Sequence, residues 1–143
     1  MAQISPSPLL QVTDLRVSLP TARGWAQALR GVSLRMERGQ TVGLIGESGC
    51  GKSLTALALM GLLPERARVS GSILLQGQEL LGLPEAQMCR VRGARMAMIF
   101  QEPMTALNPL HPIGKQIAEP LYLHQNMGVN DARTRALELL ERV

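Results

Sequence analysis

The feature that most constrains the fold is an eight-residue run from Gly46 to Ser53, which has the pattern Gly-x-x-x-x-Gly-Lys-Ser. A short apolar segment, residues 41–45, precedes it and predicts a strand buried on both faces. A longer apolar segment, residues 54–63, follows it and predicts a helix packed on a sheet. A strand, a glycine-rich loop and a helix in this order predict an α/β unit that opens with a phosphate-binding loop.

The residue types in the loop suit phosphate chemistry. Glycines allow successive backbone N–H groups to converge on phosphate oxygens, and the helix adds its positive N-terminal end. Lys52 can reach the β- and γ-phosphates, and Ser53 can offer a hydroxyl to Mg²⁺, which prefers oxygen ligands. The alternative is a glycine-rich turn that binds nothing. The candidate binding residues are Gly46, Glu47, Ser48, Gly49, Cys50, Gly51, Lys52 and Ser53.

Other segments show clear strand and helix patterns. Alternation of apolar and polar residues predicts strands, and longer amphipathic runs predict helices. Residues 102–112 contain three prolines and an Asn-Pro pair, which predicts an exposed loop. The predicted strands are residues 9–19, 28–36, 71–77 and 96–100, and the predicted helices are residues 84–92, 113–123 and 131–143, the last with Asp131 as N-cap.

Composition excludes several classes of protein. Two cysteines and two histidines without metal-ligand spacing argue against a disulfide framework or a zinc site. The net charge of +4 comes from scattered arginines without a set of stacking aromatics, so we expect no nucleic-acid partner. Residues 1–8 lack the pattern of a signal peptide and are expected to be disordered. No apolar run approaches the roughly 20 residues that a membrane span needs.

Two stretches resemble a known family. The first is Gly-Leu-Ile-Gly-Glu-Ser-Gly-Cys-Gly-Lys-Ser-Leu-Thr at residues 43–55, and the second is Met-Ala-Met-Ile-Phe-Gln-Glu-Pro-Met at residues 96–104, continuing into Leu-Asn-Pro-Leu at 107–110. Both resemble the ATP-binding subunits of ABC transporters, especially the dipeptide, oligopeptide and microcin C importers. The resemblance covers residues 9–143. It implies an α/β fold: a P-loop NTPase core sheet, a small antiparallel β portion and the start of a helical subdomain from about Ile113.

The resemblance also implies roles for individual residues. Gln101 would contact Mg²⁺ and the attacking water and would link the ATP site to the membrane subunit. Without its neighbours, Gln101 would be interpreted as a polar cap at the end of a strand. The family often stacks an aromatic side chain on adenine, and Trp25 is the nearest candidate, although Ala26 occupies the aligned position. The alternative for Trp25 is a loop aromatic packed on the sheet edge.

Several catalytic elements of the family are expected beyond Val143. They are a signature segment of LSGGQ type, a second acidic strand ending in an Asp and a catalytic Glu, and a switch His. His111 and His124 lie on the wrong side of those elements, and Glu102 and Glu119 are not candidates for the catalytic base. We therefore expect residues 9–143 to be the N-terminal part of an ABC ATPase domain, a truncated chain that alone lacks ATP turnover.

The resemblance finally implies cofactors, partners and location. ATP and Mg²⁺ would be bound between two ATP-binding domains, and closure of the pair would move transmembrane permease subunits. The loop that contains residues 104–110 is Pro-rich and apolar without periodicity, which predicts a docking surface for the membrane subunit. The alternative is a loop packed on its own domain. A periplasmic binding protein would take part indirectly, and the subunit would lie peripherally on the cytoplasmic face of the bacterial inner membrane. The expected function is import of peptides or similar small solutes. The alternative function is a non-hydrolysing nucleotide-binding fragment or pseudogene product.

Overall fold

Residues 7–102 and 106–143 are described by the computed structural model, and the chain divides after Met88 into two units. The first unit contains the strands β1 (Leu10–Thr21), β2 (Gly24–Met36), β3 (Arg68–Leu75) and β4 (Gln78–Glu79). They form an antiparallel sheet with the strand order β2-β1-β3-β4. Three of the predicted strands are confirmed, and the α/β class with a small antiparallel portion is confirmed with them. The expected disorder of residues 1–8 falls mostly on residues 1–6, which lie outside the described residues.

One face of this sheet forms the core of the first unit. Apolar side chains from β1, β2 and β3 are almost completely buried there, since alternate residues of a strand point to the same face. The buried set comprises Leu10, Val12, Leu15, Val17, Leu29, Ile73 and Leu75. All of these residues are aliphatic.

A β-bulge interrupts β1 at Thr13 and Asp14. The pairing with β2 passes from Val12–Leu34 to Leu15–Val32, so two residues of β1 lie opposite Ser33 alone. Asp14 adopts a φ of +47°, and its N–H donates to Ser33 Oγ at 2.9 Å. The bulge keeps both Val12 and Leu15 in the core although they are three residues apart.

The helix after the glycine-rich loop is α1 (Lys52–Leu59). It begins at Lys52 and ends earlier than the predicted residue 63, at a C-cap on Met60. Its buried residues are Thr55 and Ala58. The helix is therefore present, but it is shorter than its apolar sequence predicts.

The predicted strand at residues 41–45 is wrong for the described part of the chain, where this segment is irregular and pairs with no strand. Ile45 is 96% exposed. The predicted strand at residues 96–100 is also wrong, apart from a bridge between Arg92 and Met96, and Ile99 is 98% exposed. A strand buried on both faces needs neighbouring strands and covering helices, and the described residues supply none for these two segments.

Helix α2 (Glu85–Val91) crosses the division between the units and confirms the predicted helix there. The second unit contains α3 (Ile113–Gln125) and α4 (Val129–Glu141), which pack through a small core. That core consists of Ala118, Leu121, Ala132 and Ala136. Small alanine side chains let the two helices approach closely. No helix in the described ranges is long and apolar enough to cross a membrane.

Two details of α4 differ from prediction. The N-cap is Gly128 rather than Asp131, which lies in the first turn of the helix. Leu137, Leu140 and Val143 are exposed, although their spacing predicts a buried face. Helix α3 covers only the side of α4 that carries Ala132 and Ala136, so the other apolar residues have no cover among the described residues.

Candidate nucleotide-binding site

The glycine-rich loop curls tightly between residues 46 and 52. Gly49 and Gly51 adopt φ values of +80° and +96°, which favour glycine because they place a Cβ under strain. Gly51 is the N-cap of α1, and its carbonyl accepts bonds from Thr55 N at 2.8 Å and Thr55 Oγ1 at 2.9 Å. The loop therefore passes directly into the N-terminus of a helix, where anions are favoured.

The Lys52 side chain folds back over this loop. Its Nζ donates to the carbonyl oxygens of Gly46 and Glu47, each at 2.7 Å, and lies 3.5 Å from Cys50 Sγ. These hydrogen bonds stabilise the tight turn of the loop. They also keep a positive charge beside the backbone N–H groups of the loop, which suits a polyphosphate.

Two glycines of the loop lie close to neighbouring side chains. A Cβ on Gly46 would lie 2.6 Å from Cys50 Sγ, and a Cβ on Gly51 would lie 2.5 Å from Leu29 Cδ2. The second contact joins the loop to β2, whose Leu29 is buried. The antiparallel sheet therefore supports the candidate site directly.

Ser53 and Cys50 are both exposed on the loop and the first turn of α1. The role of the Ser53 hydroxyl as an oxygen ligand stays a prediction. Within the described ranges, no group of three or more His, Cys, Asp or Glu side chains could hold a metal ion by itself.

Trp25 lies on β2 opposite Pro20, close to the hairpin turn, and its neighbour Ala26 lies opposite Leu19. The guanidinium carbon of Arg68, on β3, stands 3.8 Å from the centroid of the indole ring. This cation–π contact was not predicted from the sequence, because the two residues are 43 positions apart and meet only through strand pairing. The adenine-stacking role of Trp25 stays a prediction.

Gln101 belongs to the second unit, in an exposed irregular segment next to Phe100, which is also exposed. Its role stays a prediction. Met104 and Thr105, in the predicted docking loop, lie outside the described residues. Ala106, Leu107 and Leu110 from the same loop are exposed.

Comparison with known proteins places this geometry in a family. The sequence profile described as "ABC transporter" matches residues 29–143. The chain is 51% identical to the oligopeptide transport ATP-binding protein OppD of Mycobacterium tuberculosis (strain ATCC 25618 / H37Rv) over 138 residues, covering 96% of this chain and 22% of that protein. It is 43% identical to OppD of Escherichia coli (strain K12) over 143 residues, covering 100% of this chain and 42% of that protein.

Solved structures agree on the fold. The ATP-binding cassette MJ0796, in a dimeric post-hydrolysis state bound to ADP and Pi, has a TM-score of 0.75 to this chain at 22% sequence identity, covering 92% of this chain and 56% of that chain. The chain thus spans less than half the length of the curated relatives named here. It belongs to the ABC transporter family and is homologous to the ATP-binding proteins of peptide transporters.

Proposed function

We propose that this chain is the part of an ABC transporter's ATP-binding subunit that holds the phosphates of ATP. The observation that carries the proposal is the loop from Gly46 to Ser53, closed by Lys52 and followed at once by α1. Backbone N–H groups of the loop and the N-terminus of α1 bind the phosphates. Lys52 offers its charge to the β- and γ-phosphates, and Ser53 offers its hydroxyl to Mg²⁺.

The proposed reaction is in-line attack of water on the γ-phosphate. In such reactions the protein contributes positioning and charge stabilisation. Lys52 and the loop amides would stabilise the charge on the transferred group, and Gln101, as the family resemblance implies, would contact Mg²⁺ and the water. The acidic base and the signature segment belong to parts of the family's domain outside these 143 residues.

The proposed cargo is peptides or similar small solutes. Support comes from relatives, which include oligopeptide transport proteins and a dipeptide transport ATP-binding protein of Lactococcus lactis subsp. cremoris that is 47% identical to this chain. An ATP-binding subunit does not contact the cargo. Peptide import is therefore proposed because of the sequence similarity to peptide transport proteins, and no residue of the site supports it.

The proposed partners are a second ATP-binding domain and transmembrane permease subunits, with a periplasmic binding protein acting indirectly. The subunit would sit peripherally on the cytoplasmic face of the inner membrane. The exposed apolar residues Leu107, Leu110 and Ile113 support a docking surface in and after residues 104–110, because a free surface loop has little reason to expose several of them together.

The nucleotide part of the proposal is tested with the chain's two lysines. Lys52→Ala removes a charge-assisted contact that contributes about 1.5–3 kcal/mol to ATP binding. Without the lysine, the repulsion between the phosphate charges adds to that loss. ATP binding should therefore become undetectable by calorimetry. Lys115→Ala is the matched control, because Lys115 is the only other lysine and lies on α3. Equal ATP affinity in Lys52→Ala and the unsubstituted protein would contradict the phosphate assignment.

The docking part is tested by crosslinking. A cysteine introduced at Thr105 in the assembled transporter should form a crosslink with a cytoplasmic segment of the permease. Absence of that crosslink in an assembled and active transporter would argue that residues 104–110 only pack on their own domain.

A further inference from the structure

A further β-bulge lies in β2 at Ala28. The pairing of β1 with β2 passes from Val17–Leu29 to Ser18–Gln27, so one step along β1 corresponds to two steps along β2. Paired residues of an antiparallel sheet point to the same face, and consecutive residues of a strand point to opposite faces. Because Ala28 is an extra residue, the alternation along β2 starts again on the hairpin side of the bulge.

The two faces of the sheet can be followed into the hairpin that joins β1 and β2. We call the face that carries the buried residues Val17 and Leu29 the core face, and the opposite face the outer face. Beyond the bulge, the pair Leu19–Ala26 belongs to the core face, and the next pair, which contains Trp25, belongs to the outer face. Leu29 and Trp25 thus lie on opposite faces, although a spacing of four residues in a regular strand gives the same face.

The cation–π contact agrees with this direction of Trp25. Arg68 on β3 pairs with Ser18, whereas its neighbour Val69 pairs with Val17 on the core face. Arg68 therefore belongs to the outer face, and its guanidinium carbon lies 3.8 Å from the centroid of the Trp25 ring. The indole ring is thus on the outer face, next to a cation.

The glycine-rich loop lies on the other side of the sheet. A Cβ on Gly51 would lie 2.5 Å from Leu29 Cδ2, and Leu29 points to the core face. A nucleotide whose phosphates are held by this loop therefore approaches the sheet from the core side. The strands separate that side from the ring of Trp25.

The core face is open beside the loop in the direction of the hairpin. In the opposite direction, Val12 and Leu15 are buried, whereas towards the hairpin Leu19 is half-buried and Ala26 is exposed. Ala26 is three residues from Leu29, which is about 10 Å along an extended strand. A ribose and a base can span this distance, so the base of a nucleotide held by the loop can reach Ala26.

We propose that the base of ATP lies against Leu19 and Ala26 on the core face, and that Trp25 contacts Arg68 and not the base. The inference rests on the proposed function, in which residues 46–53 hold the phosphates. Of the two interpretations of Trp25, it favours an aromatic residue packed on the sheet edge, where β2 is the outermost strand. Leu19 and Ala26 offer the base an apolar contact without an aromatic ring.

The test adds one aromatic ring to either face of β2. Ala26→Tyr places the ring on the core face, where the base can stack on it. Gln27→Tyr is the matched control, because it adds the same ring one residue away, at an exposed position on the outer face. Tyrosine is well tolerated in strands. The affinities of the purified protein for Mg-ATP and for tripolyphosphate, which has the phosphates without a base, are measured by calorimetry, and folding is checked by thermal unfolding.

The expected result is that Ala26→Tyr binds ATP about tenfold more tightly, as stacking of one base on an aromatic ring implies. The affinity for tripolyphosphate should not change, because that ligand has no base. Gln27→Tyr should bind both ligands like the unsubstituted protein. Equal ATP affinity in the two tyrosine variants would overturn the inference. If Ala26→Tyr does not fold, Leu19→Phe places a ring at the paired position and decides by the same comparison.

A second arm of the test removes the indole. If the base stacked on Trp25, Trp25→Ala would lower ATP affinity about fivefold or more without changing the affinity for tripolyphosphate. Such a loss would overturn the inference, and ATP affinity close to that of the unsubstituted protein would support it.

The outcomes separate the inference from the function on which it rests. If ATP binding depends on Lys52 but Ala26→Tyr behaves like Gln27→Tyr, the base lies elsewhere and the phosphate proposal stands. If Lys52→Ala binds ATP as well as the unsubstituted protein does, the proposed function fails and the inference fails with it.

Discussion

At the scale of single residues, Cys50 tests whether nucleotide covers the loop. Its side chain is exposed, with Sγ 3.5 Å from Lys52 Nζ, which agrees with a thiol open to reagents and not with one that points into the sheet. We predict that brief alkylation labels Cys50 and that saturating Mg-ATP reduces the labelling at least several-fold. Mass spectrometry with and without nucleotide measures this, and equal labelling of Cys50 in both conditions would contradict it.

Glu79 carries a second residue-scale prediction. Its carboxylate accepts from Ser72 Oγ at 2.5 Å, from Ile73 N–H at 2.8 Å and from Leu81 N–H at 3.0 Å. Burial raises its pKa, but the hydrogen bonds from Ser72 and from the Ile73, Leu81 and Leu80 backbone outweigh burial and hold the pKa below its ordinary value. The charged form is thus favoured in the folded state.

The sign of the pH dependence follows from that lowered pKa. The stabilisation by Glu79 is fully present above the unfolded-state pKa of about 4.3 and is lost as the pH falls through the lower folded-state value. Glu79→Gln should reduce the free energy of unfolding by about 1 kcal/mol at pH 7, the difference between charged and neutral hydrogen bonds. In urea unfolding the difference should shrink as the pH is lowered below that unfolded-state value. Glu65→Gln, at an exposed position, is the control and should show neither effect.

At the scale of elements, the bulge in β1 depends on glycine in the neighbouring strand. Gly71 has a φ of +109°, and a Cβ there would lie 2.6 Å from the Asp14 carbonyl oxygen and 2.7 Å from that of Thr13. Both neighbours are backbone atoms, which cannot rotate away. The sheet therefore accommodates the bulge only while position 71 has no side chain.

We predict that Gly71→Ala destabilises the protein by about 2–4 kcal/mol, from backbone strain at positive φ together with overpacking. Gly77→Ala separates the two effects, because Gly77 has a φ of +81° but a Cβ added there would meet no atom within 4 Å. The control should cost only about 1–2 kcal/mol. Equal loss of stability in both variants, measured by chemical unfolding, would show that the contact with the bulge does not matter.

At the scale of the whole molecule, the 143 residues carry the phosphate loop without the family's signature segment or acidic strand. We predict that the isolated 143-residue chain does not hydrolyse ATP, because the catalytic Glu and the signature segment of the family are not among these residues. Phosphate release is measured against the Lys52→Ala variant. A rate proportional to protein concentration that disappears in Lys52→Ala would contradict the prediction.

Strand and helix patterns that depend on local sequence were predictable. The strands β1, β2 and β3 follow alternation, and α1 to α4 follow helical spacing with boundary errors of a few residues. The position of the glycine-rich loop before a helix was predictable from the spacing of glycine, lysine and serine. Phosphate binding by this loop stays a prediction. The conformation of segments 41–45 and 96–100 was not predictable from their apolar pattern. A segment of this kind forms a central strand only when neighbouring strands are present to pair with it.

The sequence by itself determined which residues form the glycine-rich loop that we propose binds phosphate, because the pattern occupies eight consecutive positions. Only the tertiary structure decided the contacts between distant positions. Arg68 meets Trp25 through strand pairing, Gly71 meets the bulge across β1, and Gln116 reaches the turn before α3 through the first turn of the helix. Each depends on the direction of a side chain in space, which residue spacing alone does not specify.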